Sequence, residues 1–188
     1  TRYEFVTGVQ TCALPIWGTF HMKKLYTSYG TYGFLHQIKI NNPTHQLFQF
    51  SASDTSVIFE ETDGETVLKS PSIYEVIKEI GEFSEHHFYC AIFIPSTEDH
   101  AYQLEKKLIS VDDNFRNFGG FKSYRLLRPA KGTTYKIYFG FADRHAYEDF
   151  KQSDAFNDHF SKDALSHYFG SSGQIGRASC RERVLRLV

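Results

Sequence analysis

The run Phe88-Tyr-Cys-Ala-Ile-Phe-Ile94 constrains this chain more than any other feature: seven residues carry no charge and no polar alternation, and Pro95 closes them. A strand with one solvated face alternates, whereas a short continuous apolar run ended by proline reads as a strand buried on both faces. Such a strand needs cover on two sides. Ser96-x-x-Asp99 reads as a capping box for a helix whose inner face is Ala101, Leu104, Leu108, Val111 and Phe115, stopped by Gly119-Gly120. Phe121 to Leu127 and Thr133 to Phe141 read as strands joined through Pro129-Ala-Lys-Gly132, and in the second Tyr135, Ile137, Phe139 and Phe141 share a face. Asp143 caps a short helix through Ala146, Tyr147 and Phe150; Ser153 starts another with Phe156 and Phe160. Strand, helix, strand, strand, helix is a ferredoxin-like α+β unit that still needs its last strand.

Upstream, residues 22 to about 63 read as strands: Leu25 to Tyr29, Tyr32 to Leu35, Gln46 to Phe50 and Ser56 to Phe59. Asp63-Gly64 is a hairpin signal before a further strand at Thr66-Val-Leu68. The period then changes. Ser72-Ile-Tyr-Glu75 has the form of a capping box, and Ile73, Val76, Ile77 and Ile80 would line one helical face up to Gly81. The expected organisation is a β-rich segment with one helix over residues 22–85, then the ferredoxin-like unit over 86–174. No internal repeat or low-complexity linker separates them, so the two are expected to pack closely.

The two ends read differently. Val6 to Ile16 is the one-frame translation of a common short-read sequencing adapter, and Ile175 to Val184 is that of the opposite arm. The front lacks the apolar stretch and small-residue cleavage site of a signal peptide. Residues 1–21 and 175–188 are therefore set down to adapter and upstream sequence, and Thr1 to Gly18 and Ile175 to Val188 are expected to add nothing to the core. The final strand, due after Gln174, is expected to be cut away, leaving an open sheet edge.

With those ends set aside, five arginines and two glutamates drop out, leaving 16 basic against 20 acidic residues, and the net charge moves from -1 to -4. A mildly acidic chain has no electrostatic footprint for nucleic acid. Cys90 is the one cysteine left, so no internal disulfide is expected, which suits a reducing cytoplasm. No apolar run approaches the roughly 20 residues that span a bilayer.

Histidine is the enriched chemical type: His36, His45, His86, His87, His100, His145, His159 and His167. His86-His87 precedes the buried strand, and His100 falls in the first turn of the helix after it, where its ring should reach solvent. Only His145 and Asp149 have the i, i+4 spacing of a metal-ligand pair, and one pair does not make a site. A cysteine between Tyr89 and Ala91 in an apolar strand is inert core. Phosphate loops, nucleophile elbows and Cys-x-x-Cys pairs are absent from the sequence, and neither a metal nor a cofactor is expected.

Three stretches carry a resemblance: Met22-Lys-Lys-Leu-Tyr26, Glu85-His-His-Phe-Tyr-Cys90 and Tyr168-Phe-Gly-Ser-Ser-Gly-Gln174. From Met22 to Gln174 the chain closely resembles the staphylococcal TRAP family of signal transduction proteins. The resemblance implies a homodimer, with an antibiotic-biosynthesis-monooxygenase (ABM) domain of the dimeric α/β-barrel type in the second half. It also implies a role in virulence and stress regulation, peripheral membrane association from the cytoplasm, and a regulatory protein or peptide partner. Histidine phosphorylation would fall at His87 and His100; the third such histidine would directly follow Gln174, where Ile175 stands.

The rival class is an enzyme. Asp149-Phe-Lys-Gln-Ser-Asp-Ala-Phe156 is similar to haem-degrading ABM monooxygenases. That branch uses an Asn, a Trp and a haem-ligating His, whose positions fall near Ile92, at Phe150 and at Phe160. All three functional types are missing. His159 is one residue off, which on a helix turns its ring about 100° away. A partner-binding dimer with no chemistry is a third reading.

Overall fold

The computed structural model describes residues 22–51, 55–111, 113–169 and 181–185; the reading of residues 1–21 lies outside the described residues. The first half contains β1 (Lys24–Gly30), α1 (Tyr32–Asn41), β2 (Leu47–Ser51), β3 (Ser56–Thr62) and β4 (Ser72–Ile80). The second contains β5 (Phe88–Pro95), α2 (Glu98–Ser110), β6 (Phe121–Pro129), β7 (Thr134–Phe141), α3 (Arg144–Lys151), α4 (Asp154–His159), α5 (Lys162–Leu165) and β8 (Arg181–Leu185).

All eight strands form one sheet in the order β2-β3-β1-β4-β6-β7-β5-β8, and every neighbouring pair is antiparallel. Each half contributes its second, third, first and fourth strand in that order, the ferredoxin-like arrangement twice over. The fold class expected for the second half is therefore present, and the first half repeats its topology without a repeat visible in the sequence. The 85/86 boundary falls between β4 and β5, inside a single shared sheet.

The sheet curls until β2 and β3 lie over β5 and β7. Phe50 meets Tyr89 at a ring-centroid distance of 4.9 Å, and Phe59 meets Tyr138 at 4.9 Å. Phe83, from the connection between the halves, packs against Phe48, Phe59, Tyr89 and Tyr138. Face-to-face packing of two sheets, expected between subunits, is thus made within one chain. A second copy would have to dock on another surface.

Strand alternation divides most of the interior between two cores, and a third, smaller cluster of Tyr26, Leu47, Ile58 and Leu68 gathers around Leu35 of α1. From β7, Tyr135, Ile137, Phe139 and Phe141 point to the helices, where Leu104, Leu108, Phe150 and Phe160 cover them. Tyr138, on the opposite face, joins Leu25, Phe50, Val57, Phe59 and Tyr89. Strand β5 supplies both cores, with Cys90, Ile92 and Ile94 on the helix side and Tyr89 and Ala91 on the other. It is buried on both faces, as its composition demands.

Five local expectations are corrected. Tyr32–Asn41 is helical, because β1 and β2 run the same way with β3 and β1 adjacent, and only a crossover joins such strands. Residues 63–71 form an irregular connection instead of a hairpin and strand. Ser72–Ile80 is a strand, clamped by β1 on one edge and β6 on the other. Its register shifts between Val76 and Lys78, and this bulge reproduces helical spacing inside a strand. Helix α2 ends at Ser110, with Val111 extended at ψ 124° and a 3-10 turn carrying Phe115 into the core. Its cap is Thr97, without a side-chain hydrogen bond, whereas Asp143 and Ser153 cap α3 and α4 as expected.

The open edge is corrected too. Arg181–Leu185 pairs antiparallel with β5, from Phe93↔Arg181 to Tyr89↔Leu185, in the slot of the missing fourth strand. Backbone pairing is largely indifferent to side chains, and β5 offers an unsatisfied row of N–H and C=O groups to any extended segment within reach. Residues 175–180 and 186–188 lie outside the described residues.

Candidate functional site

The helix side of the second half is where haem would be held if the monooxygenase reading applied. Ile92, Phe150 and Phe160 all lie there, each 2% exposed or less. Phe139 stacks edge-on against Phe160 at 4.9 Å and lies 5.2 Å from Phe150; Phe115 closes on Phe160 at 5.8 Å. These rings fill the volume a porphyrin would need. His159 is half-buried at the edge and packs on Phe160 at 6.2 Å between centroids. The residues present do not fit haem: the ligating, Trp and Asn positions hold hydrocarbon in mutual contact.

The two histidines singled out by the resemblance do not form one site. His87 stands before β5 and His100 beyond its far end, in the first turn of α2. At about 3.3 Å per strand residue they are on the order of 25 Å apart. Both are half-buried, less open than expected. His87 Nδ1 is shut away without a hydrogen-bond partner. Burial, reinforced by the charge of Lys122, lowers its pKa and keeps it neutral to lower pH than an ordinary histidine. His100 Nδ1 lies 3.1 Å from Thr97 Oγ1, which fixes the ring from one side.

His145 and Asp149 come within 3.6 Å, with side chains 85% and 54% exposed. Among the described residues, no group of three or more His, Cys, Asp or Glu side chains is placed to hold a metal.

Sequence reasoning missed three charged clusters. Glu60 is 1% exposed, and its carboxylate accepts from Thr66 Oγ1 at 2.5 Å and Val67 N at 3.2 Å while His45 Nδ1 stands 2.6 Å away. Arg125, 3% exposed, binds Glu61 through two hydrogen bonds and donates to the carbonyls of Ile80, Gly81 and Tyr124. Arg128 and Tyr135 both donate to Glu105, tying α2 to the sheet. Burial, together with Glu105, raises Tyr135 to about 12. The one sequence signal for these was polar residues inside apolar strands, such as Arg125 between Tyr124 and Leu126.

Comparison with known proteins bears on this arrangement. No family model matches the chain. A protein called signal transduction protein TRAP from Staphylococcus aureus strain MSSA476 is 98% identical over 153 residues, covering 81% of this chain and 92% of the relative. A namesake from Staphylococcus epidermidis strain ATCC 12228 is 68% identical over 150 residues, covering 80% and 90%. A solved structure described as a major regulator of staphylococcal pathogenesis superposes with a TM-score of 0.82 at 91% identity, covering 88% of this chain and 99% of that one. The fold alone is shared with a haem-degrading enzyme from Listeria monocytogenes, at a TM-score of 0.69 and 13% identity over 88% of this chain and 99% of that one. It is shared as well with a Listeria monocytogenes ferredoxin-fold protein related to antibiotic biosynthesis monooxygenases, at 0.73 and 16% over 89% and 95%. By sequence over most of its length, with the curled ferredoxin-like sheet to match, the chain belongs to the family of the staphylococcal signal transduction protein TRAP.

Proposed function

We propose that the chain is a regulator in signal transduction, acting on virulence and stress responses, phosphorylated at His87 and His100, and held at the cytoplasmic membrane surface by peripheral contacts. The observation that carries this reading is 98% identity to relatives named for signal transduction. The filled helix-side volume supports it against the haem-degrading alternative, because Phe150 and Phe160 leave no ligand atom for iron. His87 and His100 are each partly exposed, as access by an incoming phosphoryl group requires. Among the described residues no helix is long and apolar enough to cross a membrane, so attachment in this reading is to a surface. A regulatory protein or peptide and a second copy of the chain are the partners proposed.

The test is phosphohistidine-specific detection on the full chain recovered from staphylococcal cells, alongside His87→Ala, His100→Ala and the double variant. Partial loss in each single variant and complete loss in the double one is expected. An undiminished signal in the double variant would remove both positions, and no signal in the parent chain would remove the modification. Fractionation of the same cells tests the membrane contact: recovery in the membrane pellet, released by high salt, is the expected result.

A further inference from the structure

His87 stands immediately before β5, and the strand order β6-β7-β5 sets it two strands over from the start of β6. Two features draw those ends together. Gly140 of β7 has no side chain, so Ser123 of β6 and Tyr89 of β5 both crowd the point where its Cβ would stand. The rings of Tyr89 and His87 in turn lie 6.2 Å apart between centroids. The residue before Ser123 is Lys122, the extra residue of a bulge. Phe121 and Ser123 pair with Phe141 and Gly140, which are consecutive, and Lys122 has no partner in that ladder. A bulge breaks the alternation of side chains and re-aims the residue it inserts.

The backbone of Lys122 is pinned as well. Its carbonyl oxygen lies where a Cβ on Gly81 would stand, and Gly81 begins the connection that ends at His87. The side chain is exposed and makes no ion pair among the described residues. Its charge reaches the histidine: burial first, then the ammonium of Lys122, then His86 hold the ring neutral below its ordinary range. A neutral imidazole is the form with a lone pair to give.

We infer that Lys122 is a positioning residue for phosphorylation at His87, its ammonium drawing the donor to the ring and pairing with the phosphoryl group once attached. The inference rests on the phosphorylation reading and adds the charge that makes this ring an acceptor. His87 Nδ1 is shut away, so Nε2 is the nitrogen that attacks. With phosphoramidate as donor, the Nε2 lone pair forms the new bond to phosphorus as the donor's own phosphorus–nitrogen bond breaks. Ammonia leaves with that electron pair, and the ring keeps its proton on Nδ1. The attached group carries close to two negative charges, and an ammonium beside it makes the charge-assisted contact that holds it.

The full chain is treated with phosphoramidate, and each histidine is read by mass spectrometry of its own peptide, kept alkaline. Lys122→Gln is expected to slow phosphorylation of His87 about tenfold, the loss of one charge-assisted contact, and to leave His100 unchanged. Lys122→Arg should restore the rate, because the charge is what acts. In the Lys122→Gln chain the ring titration of His87, followed by NMR, should move up toward that of an ordinary histidine at an unchanged melting temperature. Phosphorylation of His87 that Lys122→Gln leaves unaltered, or slows equally at His100, would overturn the role of Lys122 while the modification stands. No phosphorylation of His87 in the parent chain would overturn both.

Discussion

Arg125 and Glu61 stand 64 residues apart and bind through two roughly parallel hydrogen bonds, Nε to Oε2 at 2.6 Å and Nη2 to Oε1 at 3.1 Å. The pair joins β6 to β3, one half of the chain to the other, with the guanidinium lying over Phe83 at 4.8 Å. Geometry of this kind fixes how the sheet curls, since the sheet must close for the two groups to meet.

Glu61→Gln should therefore be costly. It leaves a nearly buried guanidinium with only the half-exposed Glu79 carboxylate, 3.8 Å from Nε, as counter-charge, a change worth about 3 kcal/mol, the low end for a buried pair that loses one member. Urea unfolding of the variant is expected to stay a single transition at a lower midpoint. A loss below about 1 kcal/mol would show the pair to be as weak as a surface one.

Glu105 should hold its charge further into acid than an ordinary carboxylate does. The hydrogen bonds from Arg128, with Tyr135 assisting, hold its carboxyl below the usual carboxylate range despite partial burial. A depressed folded-state pKa contributes stability that is present above the unfolded value and is lost as pH falls through the folded one. Glu105→Gln should be less stable than the parent at neutral pH, and the difference should shrink as pH falls below about 4.5. Melting curves from pH 7 to 3 check this; a constant gap would refute the assignment.

Gly81 is required where the chain leaves β4. Its φ is +64°, and a Cβ there would run into the carbonyl oxygen of Lys122. Gly81→Ala combines a left-handed conformation with a backbone clash and should cost at least ~2 kcal/mol. Thermal denaturation is the measurement, and a change within about 0.5 kcal/mol would contradict the geometry.

Haem added to the full chain should give no Soret shift, and scavenger proteins should recover it all. A sharp, stoichiometric Soret band would mean that Phe115, Phe139, Phe150 and Phe160 part readily, contrary to their packing.

Deleting residues 175–188 should uncover the outer edge of β5. Five paired residues are lost from that edge. At about 0.5–1.5 kcal/mol per hydrogen bond, and about one bond per paired residue, the change is roughly 2–7 kcal/mol, and an exposed edge on an apolar strand favours aggregation. Size exclusion and melting of the two chains decide this: identical profiles would show that the strand contributes nothing.

From sequence alone, the elements that carry their own evidence were legible. Phe88–Ile94 had to be a doubly buried strand because no residue in it tolerates water. The alternating Tyr135, Ile137, Phe139 and Phe141 had to be one face of another, and Asp143 and Ser153 marked helix starts because short polar side chains satisfy open backbone N–H groups. The absence of a haem trio at Ile92, Phe150 and Phe160 was also visible, since it concerns residue types. What tertiary structure alone decided is everything set by partners. Ser72–Ile80 shows helical spacing, yet its aliphatic residues Ile73, Val76, Ile77 and Ile80 are all β-branched, and two flanking strands with a bulge made it β4. Tyr32–Asn41 became a helix because the sheet order needed a crossover there. Glu61 and Arg125 looked like two surface charges until the curl of the sheet brought them together. Arg181–Leu185 became a strand through a vacant edge rather than through any signal of its own. Local pattern measures a segment's own preference, but strand pairing and ion pairing are free energies shared between distant segments, and only the folded arrangement assigns them.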